Sequence, residues 1–391
     1  MRMACEVAVA RCADYGEDEV RRALLEALSP IGGLDWVKPG MRVAIKANLV
    51  SAMKPEAAAT THPALVLALG RELMARGARV VVGDSPGGLY GAASLGRIYA
   101  ATGMKALERE GIELNQDFSE QEVEYPQGAV CRRFRATGYL LKADAVISLC
   151  KLKSHGMMGM SASVKNLFGM IPGTLKPEFH YRFPDESDFA NMLIDLNEYL
   201  KPRLCLADAV IAMEGNGPTM GRPRQVGAIL ASQSPYWLDL ACARLIGQDA
   251  SGVPTLFQAA KRGLAPEELD EAVVEGPLDE LIVPDFDNIR SLHGLHFEGT
   301  GNVLDRLRAR FIRVAMSSRP ALNPQKCVGC GLCARTCPAH AIDMRNKRPH
   351  IRRAQCIRCF CCQEFCPRGA LTVHRPLPAR ILHRTASGGS C

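Results

Sequence analysis

Residues 327–338 read CVGCGLCARTCP, and residues 356–367 read CIRCFCCQEFCP. Each is Cys-x2-Cys-x2-Cys-x3-Cys-Pro, the spacing with which thiolates wrap a 4Fe-4S cube. Two-residue spacers let three sulfurs take three corners of one cube, and the fourth cysteine crosses to the other. One cluster is then expected on Cys327, Cys330, Cys333 and Cys366, the second on Cys356, Cys359, Cys362 and Cys337. Zinc ribbons use paired cysteines, so two full runs closed by Pro338 and Pro367 favour iron over zinc. Ala341-Ile342 and Ala370-Leu371 fall at matching places, marking an internal duplication. Cys361 lies between ligands and is expected to be a small buried hydrophobe, not a ninth ligand.

Working outward, the remainder is long enough for a substantial core beside this small unit. The 391 residues are 47% hydrophobic and 23% charged, ordinary for a globular protein, with only 6% aromatic, so the core should be aliphatic. Eight of sixteen cysteines are needed as reduced thiols, and the N-terminus carries no signal-peptide pattern; a reducing cytoplasm is expected. No run of eighteen apolar residues is present. Residues 301–391 hold 17 Lys+Arg against 3 Asp+Glu, while the other 300 residues hold 31 against 38. That basic unit can dock on its own acidic body or attract an acidic redox partner such as a ferredoxin or flavodoxin. Few aromatics stand ready to stack on bases, which argues against nucleic acid.

Along residues 5–88 the pattern is strand, helix, strand, helix, strand. CEVAVARC, MRVAIKANLV and ARVVVGDSPGG are the strands, with Glu17–Leu28 and the stretch after Thr61, its expected cap, as helices. ADAVISLCKLKSH, PRLCLADAVIAMEG and VGAILAS add further strands, and 188–200, 235–246 and 254–262 further helices. The fold class is α/β: a mostly parallel sheet with flanking helices over residues 1–300, plus a small C-terminal ferredoxin-like α+β domain at 320–375. Residues 301–319 are expected to be a basic amphipathic linker helix, with a membrane-surface contact as its lesser role, and 376–391 a loose tail.

Polar residues gather at the C-terminal ends of these strands, where open α/β sheets build sites. They are Lys46 and Asn48; His62 at the next helix; Asp84 and Ser85; Lys151, Lys153, Ser154 and His155; and Glu214 and Asn216, with Asp208 upstream. Gly83-Asp84-Ser85-Pro86-Gly87-Gly88 can cradle a phosphate or simply turn. His155 suits a general acid/base or a ligand, and equally a solvated loop histidine. Lys165-Asn166 can bind an anion at a helix start or merely cap it. Glu214 and Asn216 sit between glycines that allow close approach, or form a turn.

KLKSHGMMGMSASVKNLFG, DAVIAMEGNGPTMG and the run from IKANLV through THP to GDSPGG together resemble the domain of unknown function 362 family, whose members are often fused to a two-cluster ferredoxin. The resemblance implies an iron–sulfur redox protein. By motif position it points at Lys46, Asn48, His62, Asp84, Ser85, Lys153, His155, Lys165, Asn166, Glu214 and Asn216. The expected function is a ferredoxin-coupled oxidoreductase. Electrons pass through two 4Fe-4S clusters to a small anionic substrate, or to an additional cofactor, in the body. His155, Lys153, Glu214 and Asp84 would be catalytic; Lys46, Asn48, His62, Ser85, Lys165, Asn166 and Asn216 would bind. The alternative is a non-catalytic electron relay between larger partners.

Overall fold

The computed structural model describes residues 5–288 and 318–374. Of the expected linker helix, residues 301–317 lie outside these residues, and its last residue, Arg319, is instead the first of a strand that runs to Leu322; the expected tail, 376–391, also lies outside. The chain divides into two compact units, with the boundary between Ile289 and Arg290.

The first unit is built on a nine-stranded sheet. Its strands are β1 (Val7–Arg11), β2 (Arg42–Ala47), β3 (Arg79–Gly83), β4 (Glu113–Leu114), β7 (Ala145–His155), β8 (Gly159–Ser161), β9 (Leu204–Glu214), β10 (Arg222–Ser232) and β11 (Val274–Glu275). A separate hairpin, β5 (Glu120–Glu124) with β6 (Arg133–Thr137), stands apart. The sheet order is β11-β1-β10-β9-β7-β2-β3-β4, with β8 on the end of β7. Pairings among β9, β7, β2, β3 and β4 are all parallel. β10 runs against both β9 and β1, so β1 points the same way as the parallel set although it lies far from β2.

Strand alternation divides the core into two faces. From β7, Ile147 and Leu149 join the cluster formed with helices Glu17–Leu28 and Pro63–Met74. Cys150 and Leu152 point the other way, toward helix Pro235–Leu245. Both faces are covered, which is why these strands read as near-continuous apolar runs and not as alternating ones. Helix Pro63–Met74 starts one residue later than its expected cap. His62 is the cap residue, its Nδ1 accepting from Ala64 N, while Thr61 turns inward and donates to Leu149 O at 2.9 Å.

The second unit pairs β12 (Arg319–Leu322) with β15 (Leu371–His374), and β13 (Ile342–Arg345) with β14 (Arg348–Ile351). Asn346 and Lys347 both have positive φ, as a two-residue type I′ hairpin requires. The duplication extends to the backbone. Gly329 and Arg358 match at φ 72° and 59°, Gly331 and Phe360 at 71° and 60°, Gly369 and His340 at 55° and 49°.

Candidate functional site

Four neighbouring strand ends bring most of the expected body residues together, around two lysine–carboxylate pairs. Lys46, next to last in β2, is fully buried, its Nζ 2.9 Å from Asp84 Oδ1 just past β3. The ammonium also donates to Ala47 O (2.7 Å) and Asn166 Oδ1 (2.9 Å). Asp84 in turn accepts from the backbone N–H of Leu49 and of Ser85, both at 2.7 Å. Burial pushes the Lys46 pKa down, and the neighbouring Asp84 opposes that shift. Asn166 is fixed by donating to Lys46 O and Ser148 Oγ. Ser85 Oγ accepts from Gly173 N at 2.8 Å.

Glycines make this packing possible. A Cβ on Gly169 would lie 2.1 Å from Asp84 Oδ1 and 2.2 Å from Lys46 Cε. One on Gly217 would lie 2.0 Å from Ser154 O.

Lys153, near the C-terminal end of β7, donates to Asn48 Oδ1 (2.7 Å) and Ala59 O (2.8 Å). Asn48 approaches Asn166 Oδ1 at 3.4 Å, so Lys46, Asn48, Lys153, Asp84 and Asn166 form one connected set. His155 and Glu214 are held by other partners. His155 is buried, its Nδ1 accepting from Met157 N and Met158 N. Glu214 meets Arg222 at 3.2 Å and accepts from Asp287 N. Ser154 Oγ donates to Gly215 O, joining the end of β7 to the loop that carries Asn216. Lys165, half-buried, stands over the Phe168 ring.

The segment bearing Lys165 and Asn166 is anchored from behind. Asp239, buried in helix Pro235–Leu245, accepts from Ser163 N (2.6 Å) and Val164 N (3.1 Å). Burial raises its pKa to about 7, those two amides notwithstanding.

A second pair joins Lys151 and Asp208, two strand-end residues that the family positions leave out. Lys151 Nζ is 3.0 Å from Asp208 Oδ2, bridging β7 and β9 where Lys151 and Asp208 are register partners. Tyr15 O–H donates to Asp208 Oδ1 (2.7 Å) and accepts from Lys151 Nζ (2.8 Å) and Ile211 N. His62 N donates to Asp208 Oδ2, and its ring stacks on Tyr15 with centroids 3.5 Å apart. Burial, reinforced by Lys151, lowers the His62 pKa to about 4, against the pull of Asp208; the imidazole is neutral at neutral pH. The signal available in sequence was a charged residue inside each of two doubly covered strands, AVISLCKLKSH and LCLADAVIAME, because such charges must be paired. His62 and the Asn48–Thr61 contacts join the two pairs: Thr61 Oγ1 accepts from Asn48 N, and Thr61 N donates to Asn48 O.

In the second unit, Cys327, Cys330, Cys333 and Cys366 line one cavity. Cys356, Cys359 and Cys337 lie close enough to Cys362 to help burial raise its pKa, as does Cys333 of the first quartet. The duplicated halves give equivalent amide-to-sulfur bonds, Ala341 N to Cys337 Sγ and Ala370 N to Cys366 Sγ, each 3.2 Å. Among the described residues no three His, Cys, Asp or Glu side chains close on one point as a single ion needs. A cube carries its irons at separate corners, so thiols spread around a cavity wall fit it. Cys361 is buried beside the ligands, within hydrogen-bonding reach of Cys359.

Residues 43–244 match the family model described as domain of unknown function (DUF362). The chain belongs to the DUF362 family. A 4Fe-4S dicluster domain model matches residues 319–367 of this DUF362 chain, C-terminal to the body. The protein is an iron–sulfur protein of the electron-transfer type. A thylakoid-associated protein of Synechocystis sp. is 32% identical over 273 residues, covering 68% of this chain and 81% of the relative. A lactate racemase apoprotein structure from Thermoanaerobacterium thermosaccharolyticum aligns at a TM-score of 0.41 and 14% identity, over 63% of this chain and 58% of that one. Among the described residues no helix is long and apolar enough to cross a membrane.

Proposed function

We propose that this chain is an iron–sulfur oxidoreductase that passes electrons to a small anionic substrate, or to an additional cofactor, at the ends of β2, β3 and β7. The observation that carries the reading is the connected set Lys46–Asn166–Asn48–Lys153: two buried ammonium groups and two amides at neighbouring strand ends. Buried positive charge with forked amides is the chemistry that holds a carboxylate or phosphate. Asn48, His62, Lys165 and Asn216 are the half-buried members and form its accessible side. Ser85 holds the Gly173 loop against the set. Lys153, His155, Glu214 and Asp84 are the candidates for proton transfer.

Two clusters are part of the proposal, held by Cys327, Cys330, Cys333 and Cys366, and by Cys356, Cys359, Cys362 and Cys337. A thiolate-held 4Fe-4S cluster accepts and returns one electron at a time, commonly at low potential. The need for reduced thiols supports residence in the cytoplasm. The thylakoid-associated relative supports contact with a membrane surface.

The test uses anaerobically purified full-length protein. Small carboxylates and phosphates are screened for a rise in Tm. A hit is expected to lose its effect in Lys153→Met at unchanged iron content. If no anion raises Tm, or if Lys153→Met responds like the parent, the substrate site is wrong. Undiminished electron transfer between added carriers in that variant would then identify a relay.

A further inference from the structure

We propose that the rim of the cavity lined by Cys327, Cys330, Cys333 and Cys366 is the docking surface for an acidic one-electron carrier protein of the ferredoxin or flavodoxin class. The inference rests on the reading of this unit as an electron-transfer module and adds where, and to what, it binds. Among the described residues four large hydrophobic side chains stand exposed, and two of them, Val328 (59%) and Met344 (36%), line this one cavity. Cys330 itself is exposed, so the quartet reaches the surface of the protein.

The surrounding charge is predominantly positive. Residues 318–374 contain ten Lys+Arg and two Asp+Glu. Two of the cations are fixed to the ligand loop: Arg335 Nη1 donates to Cys330 O at 3.1 Å, and Arg348 Nη1 to Cys327 O at 2.8 Å. Lys347 packs against the same loop, since a Cβ on Gly329 would meet Lys347 O at 2.6 Å, and Arg368 lines the cavity wall. Of the two acids, Asp343 is paired with Arg352. A small apolar centre in a basic ring suits a transient partner: the charges steer and orient, and the apolar contact brings the donor close. The reduced carrier would lose one electron and the 4Fe-4S cluster that these four cysteines would hold would take it up; no bond or proton moves.

The experiment titrates full-length, anaerobically prepared protein with a plant-type ferredoxin of strong negative charge, by calorimetry at low and at physiological ionic strength. Lys347→Glu/Arg368→Glu is expected to weaken Kd about ten-fold or more at low salt and to flatten its salt dependence. Lys105→Glu/Arg133→Glu, an equal charge change on the body, should alter Kd less than about two-fold. Equal losses in both variants, or no loss in the first, overturn the proposal. If the first variant loses iron, Val328→Glu replaces it: an unchanged Kd there overturns the proposal too. Failure here leaves Lys153-dependent anion binding untouched, whereas failure of anion binding leaves this Kd untouched.

Discussion

The two buried lysine–carboxylate pairs of the body bridge adjacent parallel strands in the same way, yet they are enclosed differently. Lys46–Asp84 is sealed by backbone and amides: Ala47 O, Asn166, and the amides of Leu49 and Ser85, with Gly169 pressed against both side chains. Lys151–Asp208 is closed by two half-buried rings, Tyr15 and His62, that are themselves titratable. Burying a charge pair costs several kcal/mol per ion, so both pairs are held by their additional hydrogen bonds and not by Coulomb attraction alone. Partners of fixed shape make the first pair rigid. Of the second pair's partners, His62 can take up a proton in acid, which ties that pair to pH, whereas burial keeps the Tyr15 phenol protonated.

The sharpest way to break this comparison is Gly169→Ala. The new methyl cannot be accommodated without moving Lys46 or Asp84, and a loss of roughly 3–5 kcal/mol is expected in urea denaturation. A loss under about 1 kcal/mol would mean that the first pair is as yielding as the second. Next come Lys46→Met and Lys151→Met, each leaving an uncompensated buried carboxylate at a cost of roughly 3–5 kcal/mol. Lys46→Leu/Asp84→Leu should recover little of its loss, because the Leu49 and Ser85 amides lose their acceptor. Tyr15→Phe removes one hydroxyl from the second pair only, and should cost about 1–2 kcal/mol.

The smallest effect is a slope. The His62 pKa is depressed from 6.5 to about 4, so between these values the unfolded chain binds the proton and the native one does not. Stability should therefore fall as pH drops through that window, by about 1–2 kcal/mol after allowance for solvent screening. His62→Gln should flatten this fall. Asp239, raised from 3.8 to about 7, works in the opposite sense: its contribution is full at low pH and is lost as pH rises toward 7. Asp239→Asn should remove that opposing slope, and denaturation midpoints between pH 4 and 7 would read both.

The cluster unit was legible in sequence because ligand spacing is itself a geometric specification. The strand ends of the body were legible too, since apolar runs ending in Lys, Asn or Asp announce a sheet edge. Lys151 and Asp208 were legible as strand-end residues but not as a pair, and their partner Tyr15 comes from a loop 193 residues away from Asp208. Local pattern cannot show that meeting. Thr61 was the expected cap because hydroxyls usually serve there, but the buried carbonyl of Leu149 claimed it and left the role to His62. The place of β1 beside β10 was hidden for a similar reason: pairing across more than 200 residues leaves no periodic trace.

The matched left-handed positions of the second unit carry a further lesson. In two of three the first copy kept glycine and the second took Arg358 or Phe360; in the third the second copy kept Gly369 and the first took His340. Left-handed backbone at a residue other than glycine costs of the order of 1 kcal/mol, so each copy tolerates strain that its twin avoids. After the ancestral loop was doubled, the path of the main chain was what had to persist, and the side chains riding on it were free to diverge.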